Sequence, residues 1–85
     1  MEAGKQLEYG EQPLEGVMER AGISNQDLVA ASGEGLTHKQ VRRARKGRRL
    51  TRKMQEKVVR ALNGVMRERE DAVEYEVKEV FNYRG

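Results

Sequence analysis

Between Pro13 and Gly64 the chain repeats one short phrase four times: a residue suited to start a helix, an apolar stripe at three- and four-residue spacing, and a stop. Pro13 suits a first helical turn, where its missing N–H is not needed. Leu14, Val17, Met18 and Ala21 then share a face, and Gly22 supplies a left-handed stop. Ser24 with Asp27 forms a capping-box pattern, with Ile23, Leu28 and Ala31 directed inward, until "SGEGL" breaks the helix. Thr37 opens a third stretch that carries Val41 and Ala44 and ends at Gly47, and Leu50 anchors the link beyond it. Thr51 opens a fourth, with Met54, Val58, Ala61 and Leu62, which "NG" at 63 and 64 is expected to close. Such a chain has few choices: short helices, each apolar on one side, must pack on one another. The fold class predicted is all-α, a small bundle of four to five helices.

At 85 residues one domain is expected, burying only about 60 to 65% of its unfolded surface. The absence of cysteine rules out disulfide staples, thiol catalysis and zinc–thiolate sites, so packing alone must hold the fold. No run of heptads supports a long zipper. No stretch has the apolar length of a spanning helix, and "MEAGKQLEYGEQ" carries acids where a secretory leader would be apolar, so a cytoplasmic protein is expected.

Three parts are read along the chain. Residues 1–12, acidic and with little apolar periodicity, form a flexible or loosely docked arm. Residues 13–64 form the helical domain. Residues 65–85 form an extension in which Val73, Val77 and Val80 fit one side of a helix, while Val73, Tyr75 and Val77 also alternate as in a strand. The charged composition favours a fifth helix, serving as a dimer or partner element or as a cap on the core.

Charge is strongly segregated. Residues 37–60 hold eleven of the seventeen Lys and Arg and a single acid, Glu56, a net charge of +10 against −7 over the rest of the chain. Such polarity attracts a polyanion to one region and repels it elsewhere. On a helix over 37–46, with Val41 and Ala44 turned to the core, Lys39, Arg42, Arg43 and Lys46 project outward. Those cations repel one another on a short helix, a penalty that an anionic partner removes. A helix of this kind fits the major groove of a duplex, where Arg and Lys donate to guanine O6 and N7 while neighbours reach phosphates. The competing interpretation is a solvated basic face.

From Leu14 to about Val65 the order of elements resembles the phage-repressor and Cro type of helix-turn-helix domain, the Xre-like or lambda-repressor-like family. The resemblance is carried by "LEGVMERAGIS", "SNQDLVAAS", "LTHKQVRRARKGRRL" and "TRKMQEKVVRALN", and by the joint register of Ser24, Leu28, Val41, Gly47 and Leu62. It implies a recognition helix at about 38–46, with His38, Lys39, Arg42 and Arg43 contacting bases and Arg42 nearest the backbone. The helical wheel agrees on Lys39 and Arg43, leaves His38 at the edge of the outward face and adds Lys46. By resemblance Asn25 contacts the backbone or buttresses the recognition helix, though a polar residue opening a helix explains it equally. Lys46, Arg48, Arg49, Arg52 and Lys53 complete the expected phosphate contacts, the last four lying where helix N-termini favour anions. Two departures stand out. The turn "GEG" is longer than the tight family turn. The family's Glu near the end of the recognition helix, paired with an Arg of the first helix, is replaced by Arg45 and Met18, leaving Arg45 to reach Glu15, Glu19 or a phosphate.

Other function classes find less support in the residues. His38 is the only histidine, and no nucleophile, base and orienting group can be assembled, so neither an enzyme nor a metal site is expected, and no cofactor or small-molecule substrate. RNA binding is weakened because Tyr9, Tyr75, Phe81 and Tyr83 all lie outside the basic segment. A membrane-surface role lacks an apolar face. A protein-interaction module using the acidic C-terminal part is the remaining alternative. The sequence thus predicts a bacterial or phage-like, sequence-specific double-stranded-DNA binding protein, a transcriptional regulator of the repressor kind. It would be nucleoid-associated when bound, and could dimerise through residues 65–85.

Overall fold

Local start signals act first. In the computed structural model, which describes residues 9–70 and 73–84, Pro13 sits in the first turn of α1 (Pro13–Ala21), and Gly22 ends that helix at φ 67°. Ser24 caps α2 (Asn25–Ala31) in a reciprocal box, its hydroxyl accepting from the Asp27 amide at 3.1 Å while the Asp27 carboxylate accepts from the Ser24 amide at 2.8 Å. Thr37 and Gln40 repeat the box at the head of α3 (His38–Lys46), with both bonds at 3.1 Å. Thr51 caps α4 (Arg52–Glu68) by accepting from the Met54 amide. Each cap satisfies amides that a helix start otherwise leaves without partners.

The apolar stripes then close on one core. Leu14, Met18, Leu28, Val41, Ala44, Val58 and Leu62 are fully buried, and Ile23, Leu36 and Leu50 seal the links between helices. The helix α2 packs on α3 and on α4, while α1 packs on α3. An all-helical bundle results, with five helices among the described residues.

The C-terminal third departs from expectation. The "NG" at 63 and 64 does not end the fourth helix, so the expected boundary at residue 64 falls inside α4. Gly64 faces Ala31 where α4 packs on α2. The amide of Asn63 is buried and paired at both ends with one residue: Nδ2 donates to the Tyr75 carbonyl at 3.0 Å, and Oδ1 accepts from the Tyr75 amide at 2.8 Å. That pairing gives Asn63 a tertiary role where the sequence suggested a turn. The expected fifth helix is present as one turn, α5 (Val77–Val80), which residues 73–76 enter without regular structure. Val80 and Phe81 insert into the core, α5 packing on α1 and α4, so the extension is part of the same body.

The arm also differs. Its residues 1–8 lie outside the described residues, but residues 9–12 are docked. Gln12 is buried, donates its backbone N–H to the Arg45 carbonyl, and accepts from the Asn82 amide at 2.8 Å through its side chain. Tyr9 donates its amide to the Gly47 carbonyl at 2.7 Å and stacks flat on Tyr83, with ring centroids 4.2 Å apart.

Candidate nucleic-acid interface

One face of α3 is committed inward and the other is cationic. Val41 and Ala44 are fully buried, whereas His38, Lys39, Arg42, Arg43 and Lys46 are exposed. No acid lies on α3 to neutralise them. His38 is more constrained than its place at the helix edge suggested. Its Nε2 lies 2.9 Å from the Gln26 Oε1 of α2, so the imidazole bridges the two helices at the start of α3.

Arg45 ties α3 to both α1 and α2. Its guanidinium donates from Nε and Nη2 to the two carboxylate oxygens of Glu15 on α1, at 2.5 and 2.9 Å, and from Nη1 to Asn25 Oδ1 on α2 at 2.6 Å. Three helices meet in this one cluster. The fork geometry of guanidinium on carboxylate fixes direction as well as distance. Asn25 therefore has its side-chain oxygen engaged in buttressing α3, one of the two roles its position implied. Of the partners open to Arg45, the structure selects Glu15. The hydrogen bond and charge of Arg45 hold the Glu15 carboxyl below the usual carboxylate range, against an opposing effect of burial. A cleft of about 430 Å³ adjoins this cluster, lined by Glu11, Glu15, Asn25, Arg42, Arg45 and Lys46. Its acids mark the edge of the basic surface.

The link from α3 to α4 carries the second cationic group. Gly47 takes φ 88°, and a side chain there would overlap the carbonyl of Gly10. Arg48, Arg49, Arg52 and Lys53 are all exposed. Arg52 pairs one turn along α4 with Glu56 at 3.3 Å, both side chains about half exposed. Lys53 borders a groove with Glu34, Thr51, Met54, Lys57 and Arg60. Within that groove Arg60 grips both carboxylate oxygens of Glu34 at 2.6 Å and depresses its pKa, which ties the turn before α3 to α4.

The backbone of this link is held by a residue that sequence reasoning passed over. Tyr83 Oη accepts from the Leu50 amide at 2.9 Å and donates to the Arg48 carbonyl at 3.1 Å. Gln55 Nε2 donates in turn to the Tyr83 carbonyl at 3.3 Å. Burial pushes the Tyr83 hydroxyl above its ordinary pKa, opposed by the Leu50 N–H, by Gln55 and by the charge of Arg49. Nothing local marks this tyrosine, because the partners of its hydroxyl lie more than thirty residues away.

The basic residues expected to act together are thus brought onto two adjoining elements, the outer face of α3 and the link into α4. Among the described residues no cluster of His, Cys, Asp and Glu has the make-up of a metal site, and no helix is long and apolar enough to cross a membrane. Comparison of the chain with family models, with curated proteins and with solved structures gives no match.

Proposed function

We propose that this chain binds double-stranded DNA with sequence preference, laying α3 in the major groove while Arg48, Arg49, Arg52 and Lys53 meet phosphates. Within that class the reading is a transcriptional regulator of the phage-repressor and Cro type. The observation that carries it is the division of α3: Val41, Ala44 and Arg45 anchor one side, and Lys39, Arg42, Arg43 and Lys46 are presented together on the other. Cations gathered on one side of a firmly held helix suit a dense row of phosphates and the acceptor-rich edge of guanine. The interhelical contact of His38 with Gln26 supports a defined start for α3, the end that meets bases in this mode of docking.

Unpaired RNA bases need open aromatic faces. Here Tyr9 and Tyr83 stack on each other and Phe81 is buried, which favours a duplex over a single strand.

A homodimer through residues 65–85 would have to use what Val80 and Phe81 leave outside, since both are turned into the chain's own core. Light scattering across a concentration series tests that part separately, and a monomer at every concentration would remove it.

The main test is selection from a randomised duplex pool followed by titration of selected and scrambled duplexes over a salt series. An enriched motif with a steep salt slope is the expected result. Binding without enrichment would replace sequence preference by an architectural role. Absence of salt-sensitive binding would transfer the function to a protein partner.

A further inference from the structure

Two segments from opposite ends of the described chain converge on the link between α3 and α4. Tyr9 bonds the Gly47 carbonyl from one side. From the other, the single hydroxyl of Tyr83 bridges the Arg48 carbonyl and the Leu50 amide, spanning the backbone of Arg49. The two tyrosine rings lie in contact at an interplanar angle of 7°, and Phe81 meets Tyr83 edge-on with centroids 5.9 Å apart. Gln12, fully enclosed, ties these segments together again through the Asn82 amide and the Gly10 carbonyl.

We infer that Tyr83 is a positioning residue for DNA binding: its hydroxyl holds the Arg48–Leu50 backbone in one path, so that Arg49 and the first turn of α4 meet the phosphate backbone already aligned. This rests on the duplex-binding reading above. The physical reason is entropic. A five-residue connection carrying long cations loses freedom on binding wherever its backbone is not already held, at the expense of affinity. A bridge across both neighbours of Arg49 removes much of that cost beforehand. Because phosphate contacts carry no sequence information, the benefit falls equally on every duplex.

The test is Tyr83→Phe, which keeps the ring stack and removes only the hydroxyl. Binding to selected and scrambled duplexes should weaken by the same factor, about three- to tenfold for the loss of one bridging hydroxyl, with a shallower salt slope and unchanged sequence preference. A double-mutant cycle with Arg49→Ala supplies the readout that a purely structural role would not move. The effect of Arg49→Ala should shrink in the Tyr83→Phe background, because the cation is then no longer aligned. A folded Tyr83→Phe with wild-type affinity and salt slope, or two substitutions whose effects simply multiply, overturns the inference while leaving DNA binding intact. Wild-type protein that binds no duplex removes the functional reading and the inference together, a separate and recognisable result. If Tyr83→Phe does not fold, hydrogen exchange of the wild-type protein decides. A Leu50 amide protected like those of α4 in the free state supports the prealigned link, and exchange at open-loop rates overturns it.

Discussion

Arg45 of α3 and Glu15 of α1 form a two-pronged ion pair that ties the end of α3 to α1. Glu15→Ala leaves the guanidinium with Asn25 as its remaining partner in the cluster, and should lower stability by about 1 to 3 kcal/mol in urea unfolding. Exchanging the two residues, Glu15→Arg with Arg45→Glu, should recover part of that loss. A double variant no better than the sum of the singles would refute a specific pairing.

Acid should weaken the fold. The carboxyls of Glu15, Asp27 and Glu34 are all held below their ordinary pKa, chiefly by hydrogen bonds from Arg45, Ser24 and Arg60 respectively. A depressed folded pKa gives stability that is present above the unfolded value and is lost as pH falls through the folded one. The melting temperature should therefore decline below about pH 5. Glu15→Gln should make that decline shallower, and an unchanged acid profile in this variant would remove Glu15 from the explanation.

Two glycines with the same backbone sign should respond differently to alanine. Gly22, at φ 67°, faces open space, so Gly22→Ala should cost about 1 to 2 kcal/mol for the left-handed backbone alone. Gly47, at φ 88°, adds a clash with the backbone of Gly10, and Gly47→Ala should cost clearly more and displace residues 9–12. Thermal melts of equal depression would contradict the close approach.

Base reading and phosphate grip should separate by substitution. Arg43→Ala should reduce preference for the selected duplex over a scrambled one by about 1 to 3 kcal/mol. Arg52→Ala should weaken both duplexes alike, and modestly, because Glu56 already competes for that guanidinium. Equal losses on both duplexes for both variants would refute the division.

Helix starts were legible in the sequence because their causes are local: Ser24 with Asp27, Thr37 with Gln40 and Thr51 with Met54 are bonds across three residues. The outward cations of α3 were legible for a similar reason, since Val41 and Ala44 set the rotation of a short helix. What was lost had distant causes. Asn63 and Gly64 carry turn chemistry, yet α4 runs through them, with the Asn63 amide paired to the backbone of Tyr75. Arg45 had three open destinations, and only the folded arrangement of α1 and α2 chose among them. Tyr9, Gln12 and Tyr83 gave no periodic signal at all, because each acts through backbone groups brought near by the finished fold.

The contact of Tyr9 with Tyr83 also makes the described chain nearly a closed ring. Tyr9 and Tyr83 thus share a single corner, beside the link of Arg48 and Arg49. A crosslinker attached at Tyr9 or at Tyr83 acts beside the same cationic link. Joining the two segments and reopening the chain at the exposed Gly33–Gly35 turn should give a permuted protein with the same core, but with that corner covalently sealed.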